Sequence, residues 1–157
     1  PPFVWIEAGL EGALTPSRTW TGSLAFGYSH MPELHNAFLV QGRIARLVSG
    51  NSTSLTHPDT YVFFGLEGFD IRGVAATAFR EDTPTVDEIV ATTVGREPRQ
   101  AFGALQLGME VRVKNRIAVS LFAESLPTKR NAPALGDYMN VLGVEFNSIG
   151  TEVAFCF

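Results

Sequence analysis

Residues 105–113 read Leu-Gln-Leu-Gly-Met-Glu-Val-Arg-Val, so every second side chain is large and apolar while those between are polar or glycine. A period of two is typical of a β-strand with one apolar and one polar face, the usual pattern of half-buried antiparallel strands. The same alternation recurs along most of the chain. The sequence therefore predicts an all-β protein built from antiparallel strands.

The alternation predicts nine strands and one short helix. The helix is expected within the connection 81–100, because Pro84 precedes Thr-Val-Asp-Glu-Ile-Val-Ala with acidic residues in the first turn. No linker divides the chain, so we expect one domain over 1–157, with an N-terminal strand or arm at 1–14 and a core at 20–157. The predicted strands are 3–14, 20–30, 37–48, 60–68, 71–80, 101–113, 116–125, 138–147 and 150–157.

The composition excludes several classes of protein. The chain has 157 residues, with 12 Lys and Arg against 16 Asp and Glu, and 45% of its residues are hydrophobic. This balance excludes intrinsic disorder and a basic nucleic-acid-binding domain of the usual kind. The single cysteine, Cys156, excludes an internal disulfide framework and a multi-cysteine zinc site, and we expect it to be a buried, inert thiol. The apolar runs are too short for a transmembrane helix.

The lengths of the predicted connections favour two all-β architectures. From the third strand onward, long connections alternate with short ones, so long loops should gather at one end of the sheet. Outer-membrane β-barrels and eight-stranded jelly rolls both show this asymmetry. Phe157, in step with Phe155 and Val153, resembles the closing strand of a membrane barrel. An odd number of strands, a last strand ending away from the short turns, and 12 Phe against 3 Tyr and 2 Trp all count against the barrel.

The closing segments 137–146 and 150–157 resemble the last two strands of viral capsid proteins of the picorna-like and small plant-virus kind. The resemblance implies an antiparallel β-sandwich of the jelly-roll type, with eight strands plus the N-terminal one and the short helix in the 81–100 connection. It implies a structural, self-assembling subunit of an icosahedral shell, located in the virion. Such proteins often carry a basic N-terminal arm, which this sequence lacks. We therefore expect partners among copies of the chain and other capsid chains, without strong nucleic-acid binding.

The titratable residues do not predict an enzyme, a cofactor or a metal site. His30, His35 and His57 match no standard set of metal ligands. The mid-strand glutamates are interpreted as a solvated sheet face or a subunit contact, with Arg43, Arg72 and Arg112 as cross-strand partners. These glutamates are Glu7, Glu11, Glu67, Glu110, Glu124, Glu145 and Glu152.

Low charge and abundant Phe, Ala and Gly suit a chain whose outer surface is covered by neighbours. Asn51 begins an Asn-Ser-Thr glycosylation sequon. The candidate subunit contacts are Trp5, Glu7, Arg96, Arg99, Lys129 and Arg130.

Two alternatives to the capsid subunit stay open. The first is a soluble β-sandwich that forms trimers or binds a ligand. The second is a small outer-membrane β-barrel protein, located in the bacterial outer membrane. In that barrel a polar lumen would hold Glu7, Glu11, Glu110, Arg112, Glu124 and Glu145.

Overall fold

A computed structural model describes residues 4–32, 35–50, 58–73, 75–76, 99–114, 116–126, 140–141 and 144–155. In this part of the chain the regular structure is β, which confirms the all-β prediction. The strands are β1 (Ile6–Ala13), β2 (Trp20–Met31), β3 (His35–Ser49), β4 (Asp59–Arg72), β5 (Arg99–Val113), β6 (Ile117–Ser125), β7 (Asn140–Val141), β8 (Val144–Glu145) and β9 (Ser148–Phe155).

Seven strands form one antiparallel sheet in the order β1-β2-β3-β4-β5-β6-β9. Each strand pairs with the next long strand in the chain, so the sheet is an up-and-down meander, and it curls into a half-barrel. A jelly roll instead needs two packed sheets whose neighbouring strands are distant in sequence. The described residues do not show that arrangement.

The predicted strands 60–68 and 71–80 are wrong as separate strands, because β4 runs unbroken from Asp59 to Arg72. Two separate strands with these bounds require a tight turn at Gly68, Phe69 and Asp70. In the structure Gly68 instead pairs with Val40 on one side and Gly103 on the other. Pairing along both flanks outweighs the turn propensity of glycine and aspartate, since a turn here would break both ladders.

The predicted strand 138–147 is also wrong. Among its described residues, 140–141 and 144–147, the strands are β7 and β8, which pair with each other as a separate two-stranded ladder. The reason is that β6 pairs directly with β9, which leaves no place between them in the sheet. The other predicted strands agree with the observed ones to within a few residues, and the predicted helix lies outside the described residues.

The connections fall at two different ends of the sheet. We call the end with connections 14–19, 50–58 and 114–116 the turn end, and the end with 32–34, 73–98 and 126–147 the loop end. Because the predicted strand 138–147 is not part of this sheet, β9 begins at the loop end and finishes at the turn end, opposite the two longest connections. This removes the objection that the last strand would end on the wrong side for a membrane barrel.

The concave face of the sheet carries two clusters of buried apolar side chains. Near the loop end Leu39, Phe69 and Ile71 pack with small alanines, and Trp5 covers them. Towards the turn end a second cluster is formed by Ala45, Tyr61, Phe63 and Phe122. In the part of the chain described, no helix is long and apolar enough to cross a membrane.

Candidate functional site, an apolar outer belt around a polar interior

The convex face of the sheet carries a continuous band of exposed apolar side chains, which we call the outer belt. Leu66 at the middle of β4 is 57% exposed, and Leu121 on β6 is 59% exposed. A band on every strand far exceeds the scattered apolar residues of an ordinary soluble surface. It comprises Leu10, Leu24, Phe26, Phe38, Val40, Ile44, Val62, Phe64, Leu66, Met109, Val111, Val113, Ile117, Val119, Leu121, Ile149, Val153 and Phe155.

Charged side chains at outward positions of the described strands lie at the margins of this belt. Arg46 lies near the turn end, and its guanidinium is 5.5 Å from the centre of the Trp20 ring. At the loop end Arg99 donates hydrogen bonds from Nε and Nη2 to the two carboxylate oxygens of Asp70, at 2.7 and 2.9 Å. These hydrogen bonds hold the pKa of Asp70 below its ordinary value. The apolar zone is therefore bounded on both sides by charge.

Two amphipathic aromatic residues on β2 mark the same margins. Trp20 at the turn end and Tyr28 towards the loop end point outward, with Leu24 and Phe26 between them. Eight residue steps at about 3.4 Å each separate them by roughly 27 Å along the strand. A strand tilt of about 35–45° shortens this distance along the barrel axis to roughly 19–22 Å, somewhat less than the apolar band of membrane barrels, roughly 25 Å tall.

The concave face is polar at its centre, around the carboxylate of Glu67. Gln41 and Gln106 each donate a hydrogen bond from Nε2 to Glu67 Oε1, at 2.6 and 2.5 Å. The second Nε2 hydrogen of Gln106 reaches Glu124 Oε1 at 3.0 Å, and its Oε1 accepts from Arg43 Nε at 2.9 Å. Gln106 is fully buried, and this one amide bridges two carboxylates and a guanidinium.

Arg43 extends the network across the interior to the far edge of the sheet. Its Nη1 lies 2.5 Å from Glu152 Oε2 on β9. The guanidinium also lies over the rings of Phe63 and Phe122, at 4.5 and 5.1 Å from their centres. Arginine suits this place because its planar cation can stack on an aromatic ring while its edge binds a carboxylate.

A second polar cluster fills the interior at the turn end. Arg112 binds both carboxylate oxygens of Glu11 at 2.5 and 2.6 Å, and it also forms an ion pair with Glu110. Its guanidinium is 4.3 Å from the centre of the Tyr61 ring. Ser120 donates to Glu110 Oε2 at 3.2 Å. Two long-range ion pairs, Arg43–Glu152 and Arg112–Glu11, thus cross the interior of the curled sheet.

The structure places most of the predicted glutamates on the concave face, where Glu7, Glu11, Glu67, Glu110, Glu124 and Glu152 surround Arg43 and Arg112. The interpretation of these residues as a solvated face is wrong for Glu67, which is 6% exposed. Arg43 and Arg112 do pair with glutamates, across the interior or along one strand, whereas Arg72 pairs with Asp70. The sequence analysis did not single out Gln41 and Gln106. The sequence did contain a signal for them, because both glutamines occupy positions that alternate with the large apolar side chains of their strands.

Two of the candidate subunit contacts face inward. The Trp5 ring packs 5.7 Å from the Phe69 ring, and Glu7 lines the concave cavity. Arg99 is exposed at the loop end and is held by Asp70. The structure therefore does not bring these residues together on one surface. Arg96, Lys129, Arg130, Asn51 and Cys156 lie outside the described residues.

The two histidines that the structure describes, His30 and His35, do not form a common site with acidic residues. The His35 ring nitrogen Nε2 lies 2.9 Å from the Ser29 hydroxyl, whereas His30 Nδ1 is 2.6 Å from Asn36 Oδ1 on the outer side. His57 is not among the described residues. Within the described ranges, no group of three His, Cys, Asp or Glu is arranged to hold a metal ion.

No protein-family model, curated protein or solved structure matches this chain. The geometry of the outer belt and the polar interior is therefore the basis for the function.

Proposed function

We propose that this chain is a small membrane-embedded β-barrel protein of the outer-membrane type. The observation that carries the proposal is the inverted polarity of the curled sheet. The convex face is apolar and exposed, whereas the concave face buries Gln41, Arg43, Glu67 and Gln106. In water this arrangement would be unfavourable, because it exposes the large apolar side chains to solvent. In lipid it becomes favourable, since hydrocarbon contacts the outer belt and the charged groups stay inside.

Three further observations support lipid as the surroundings of the belt. The charged residues at outward positions of the described strands lie at its margins, and Trp20 and Tyr28 lie where aromatic residues concentrate at membrane interfaces. The meander satisfies backbone hydrogen bonds between neighbouring strands, as a spanning sheet must do. The two longest connections gather at one end of the sheet, and β9 finishes at the opposite end, where no connection is longer than nine residues.

The interior favours a scaffold over a wide channel. The Arg43–Glu152 and Arg112–Glu11 pairs cross the space enclosed by the sheet, and the apolar cluster occupies its loop end. Barrels of about eight strands are generally filled by their own side chains, and aqueous channels belong to larger ones. We therefore assign the barrel the role of holding its long loop-end connections at one membrane surface.

The second candidate is a structural, self-assembling protein such as a viral capsid subunit. The specific observation in its favour is the outer belt, because copies of the chain or other capsid chains could bury the same apolar surface. In that case the jelly-roll sandwich would require a second sheet packed on the described one. The virion would then be its location in place of a membrane.

Purification of the full chain with and without detergent tests these candidates. We expect aggregation in buffer alone, a monomer in detergent micelles by light scattering, and flotation with phospholipid vesicles after refolding. The folded form should migrate differently from the boiled form on a denaturing gel. Closed shells seen by negative-stain microscopy in detergent-free buffer would instead establish the capsid subunit. A discrete trimer that does not bind vesicles would establish a soluble sandwich.

A further inference from the structure

The two edge strands of the sheet, β1 and β9, run in the same direction. This follows from an antiparallel meander of seven strands, in which the first and last are parallel. Among the described residues, β1 pairs only with β2 and β9 only with β6, so each has one free edge. One additional strand placed between them would be antiparallel to both and would continue the meander around the circle.

The curvature of the sheet is that of an eight-stranded barrel. Arg112 on β5 reaches Glu11 on β1, and Arg43 on β3 reaches Glu152 on β9. In each case the two strands are four positions apart in the sheet order. Strands four apart lie diametrically opposite each other in a closed barrel of eight. The seven strands therefore leave a gap that is one strand wide.

The residues at the gap indicate what kind of strand would fit. A cavity of about 1250 Å³ is lined by both edges, including Glu7 on β1 and Glu152 on β9. Oε2 of Glu7 is buried without a hydrogen-bond partner among the described residues. On the outer side, Leu10 and Val153 continue the apolar belt up to both edges. A fitting strand is therefore apolar on its outward positions and carries a donor that faces Glu7.

We propose that an eighth strand, joined to β1 by a hairpin at the loop end, fills this gap and closes the barrel. A strand antiparallel to β1 finishes at the end where β1 begins, which is the loop end. A hairpin also fits the rest of the sheet, in which every pair joins successive long strands. This strand would have about nine to eleven residues, as membrane-spanning strands do. The inference rests on the proposed function for its driving force, because an unpaired edge is far more costly in lipid than in water.

A second copy of the chain fits the gap less well. Two seven-stranded sheets joined edge to edge would make a wider and flatter barrel, since barrel diameter grows with strand number. The ion pairs Arg43–Glu152 and Arg112–Glu11 could not then span the interior. The cross-interior contacts thus favour a single strand.

The first experiment measures the width of the gap in the full chain folded in micelles, with Cys156 replaced by Ser. Ala8→Cys and Val153→Cys introduce outward thiols beside Glu7 and Glu152. One missing strand would separate their Cα atoms by about 10 Å, beyond the reach of a disulfide at roughly 4.4–6.8 Å. We expect no intramolecular disulfide on oxidation but efficient linkage by a bismaleimide of about that span. Ala8→Cys with Phe26→Cys is the matched control, because these residues are paired across β1 and β2 and should oxidise readily.

The second experiment adds an eighth strand to the chain and asks whether it occupies the gap between β1 and β9. A copy of residues 117–125 carrying one outward cysteine is fused before residue 1 through four added residues, which with residues 1–5 form the connection to β1. We expect this cysteine to form disulfides with Ala8→Cys and with Val153→Cys in separate variants. We also expect the fused chain to unfold at a higher urea concentration than the chain alone. The matched control shifts the alternation of the added strand by one residue, so that its apolar side chains face the interior, and it should give neither result.

The outcomes separate the closing strand from the membrane proposal. A direct Ala8–Val153 disulfide would show that β1 and β9 pair with each other, and intermolecular cross-links in micelles would show a second copy at the edges. Either result overturns the eighth strand, as would failure of the fused strand to link to both edges when the Ala8–Phe26 control oxidises. Vesicle flotation is measured on the same samples, so loss of membrane binding is detected independently.

Discussion

At the scale of single residues, two arginines hold opposite sides of the curled sheet together. Arg43 and Arg112 each combine an anionic partner on a distant strand with an aromatic ring under the guanidinium plane. Many polar groups of the interior are thus hydrogen-bonded or ion-paired with one another, and these contacts stabilise the buried charges. A variant that removes one cation should therefore have a large effect.

Arg112→Met removes the cation between Glu11 and Glu110. We expect the free energy of unfolding to fall by about 3 kcal/mol, because the remaining carboxylates lose their counter-charge in a largely buried place. Urea titration of the protein in phospholipid vesicles, followed by tryptophan fluorescence, measures the loss. Arg72→Met is the control, since the Arg72 side chain is 46% exposed and its pairing with Asp70 should be worth less than about 1 kcal/mol. Equal losses for the two variants would contradict this account of the interior.

Arg99→Gln tests the ion pair at the loop-end margin of the belt. Hydrogen bonding to Arg99 depresses the pKa of Asp70, so this carboxylate stabilises the fold above its ordinary pKa. The contribution is lost as the pH falls through the depressed value. We expect the variant to raise the pKa of Asp70 towards the ordinary value, which a ¹³C NMR titration in micelles would detect. Arg46→Gln, at the turn end, should leave the titration unchanged, and an unaltered Asp70 pKa in Arg99→Gln would refute the pairing.

At the scale of elements, period two predicted most strands well and β4 poorly. The alternation in β2, β3, β5 and β6 is a local property, so those strands could be placed to within a few residues. Gly68–Asp70 has the composition of a turn, and only its pairing with β3 and β5 makes it a strand. Such pairing is a tertiary property that a single stretch of sequence does not contain.

Alternation also could not predict which face of each strand points inward. A strand with one apolar and one polar face has the same pattern in a water-soluble sandwich and in a membrane barrel. The difference arises from the contacts of the polar face, such as Gln106 with Glu67 and Arg112 with Glu11. The latter pair is separated by 101 residues, so no spacing rule could have found it. The barrel alternative did place Glu7, Glu11, Glu110 and Glu124 in one polar lumen, but their individual partners could not be predicted from the sequence.

Leu66→Arg tests the outer belt at the middle of β4. A charge near the centre of a bilayer should destabilise the folded protein by about 2–4 kcal/mol. Urea titration in vesicles measures this change. The matched control is Ala101→Arg, which points outward near the loop end beside Asp70 and should cost about 0–1 kcal/mol. If both substitutions were equally harmless in vesicles, the belt would not lie in lipid.

At the scale of the whole molecule, the absence of 138–147 from the seven-stranded sheet changes the end at which the last strand finishes. As a result, β9 finishes at the turn end, and the long connections 73–98 and 126–147 share the other end. The wall of the half-barrel also separates the two tryptophans of the chain. Trp20 lies on its outer side and Trp5 on its inner side.

This separation predicts different responses to quenchers carried by lipid. In Trp5→Phe the remaining Trp20 should be quenched most strongly by bromine atoms near the headgroups and less by those near the bilayer centre. In Trp20→Phe the remaining Trp5 should be quenched weakly at every depth, because the sheet shields it from the acyl chains. Steady-state fluorescence in brominated vesicles measures both variants. Stronger quenching of Trp5 than of Trp20 would mean that the two faces have been assigned the wrong way round.

The placement of large apolar side chains at every second position affects how the newly made chain would interact with membranes before it folds. The polypeptide has a mean hydropathy of only +0.11, because large apolar residues alternate with polar or small ones. A translocation system that retains long apolar segments in the membrane would therefore let this chain pass through. Its affinity for lipid would emerge only when strand pairing sorts the two kinds of side chain onto opposite surfaces. The apolar surface that would favour lipid is therefore present only in the folded sheet and not in the unfolded chain.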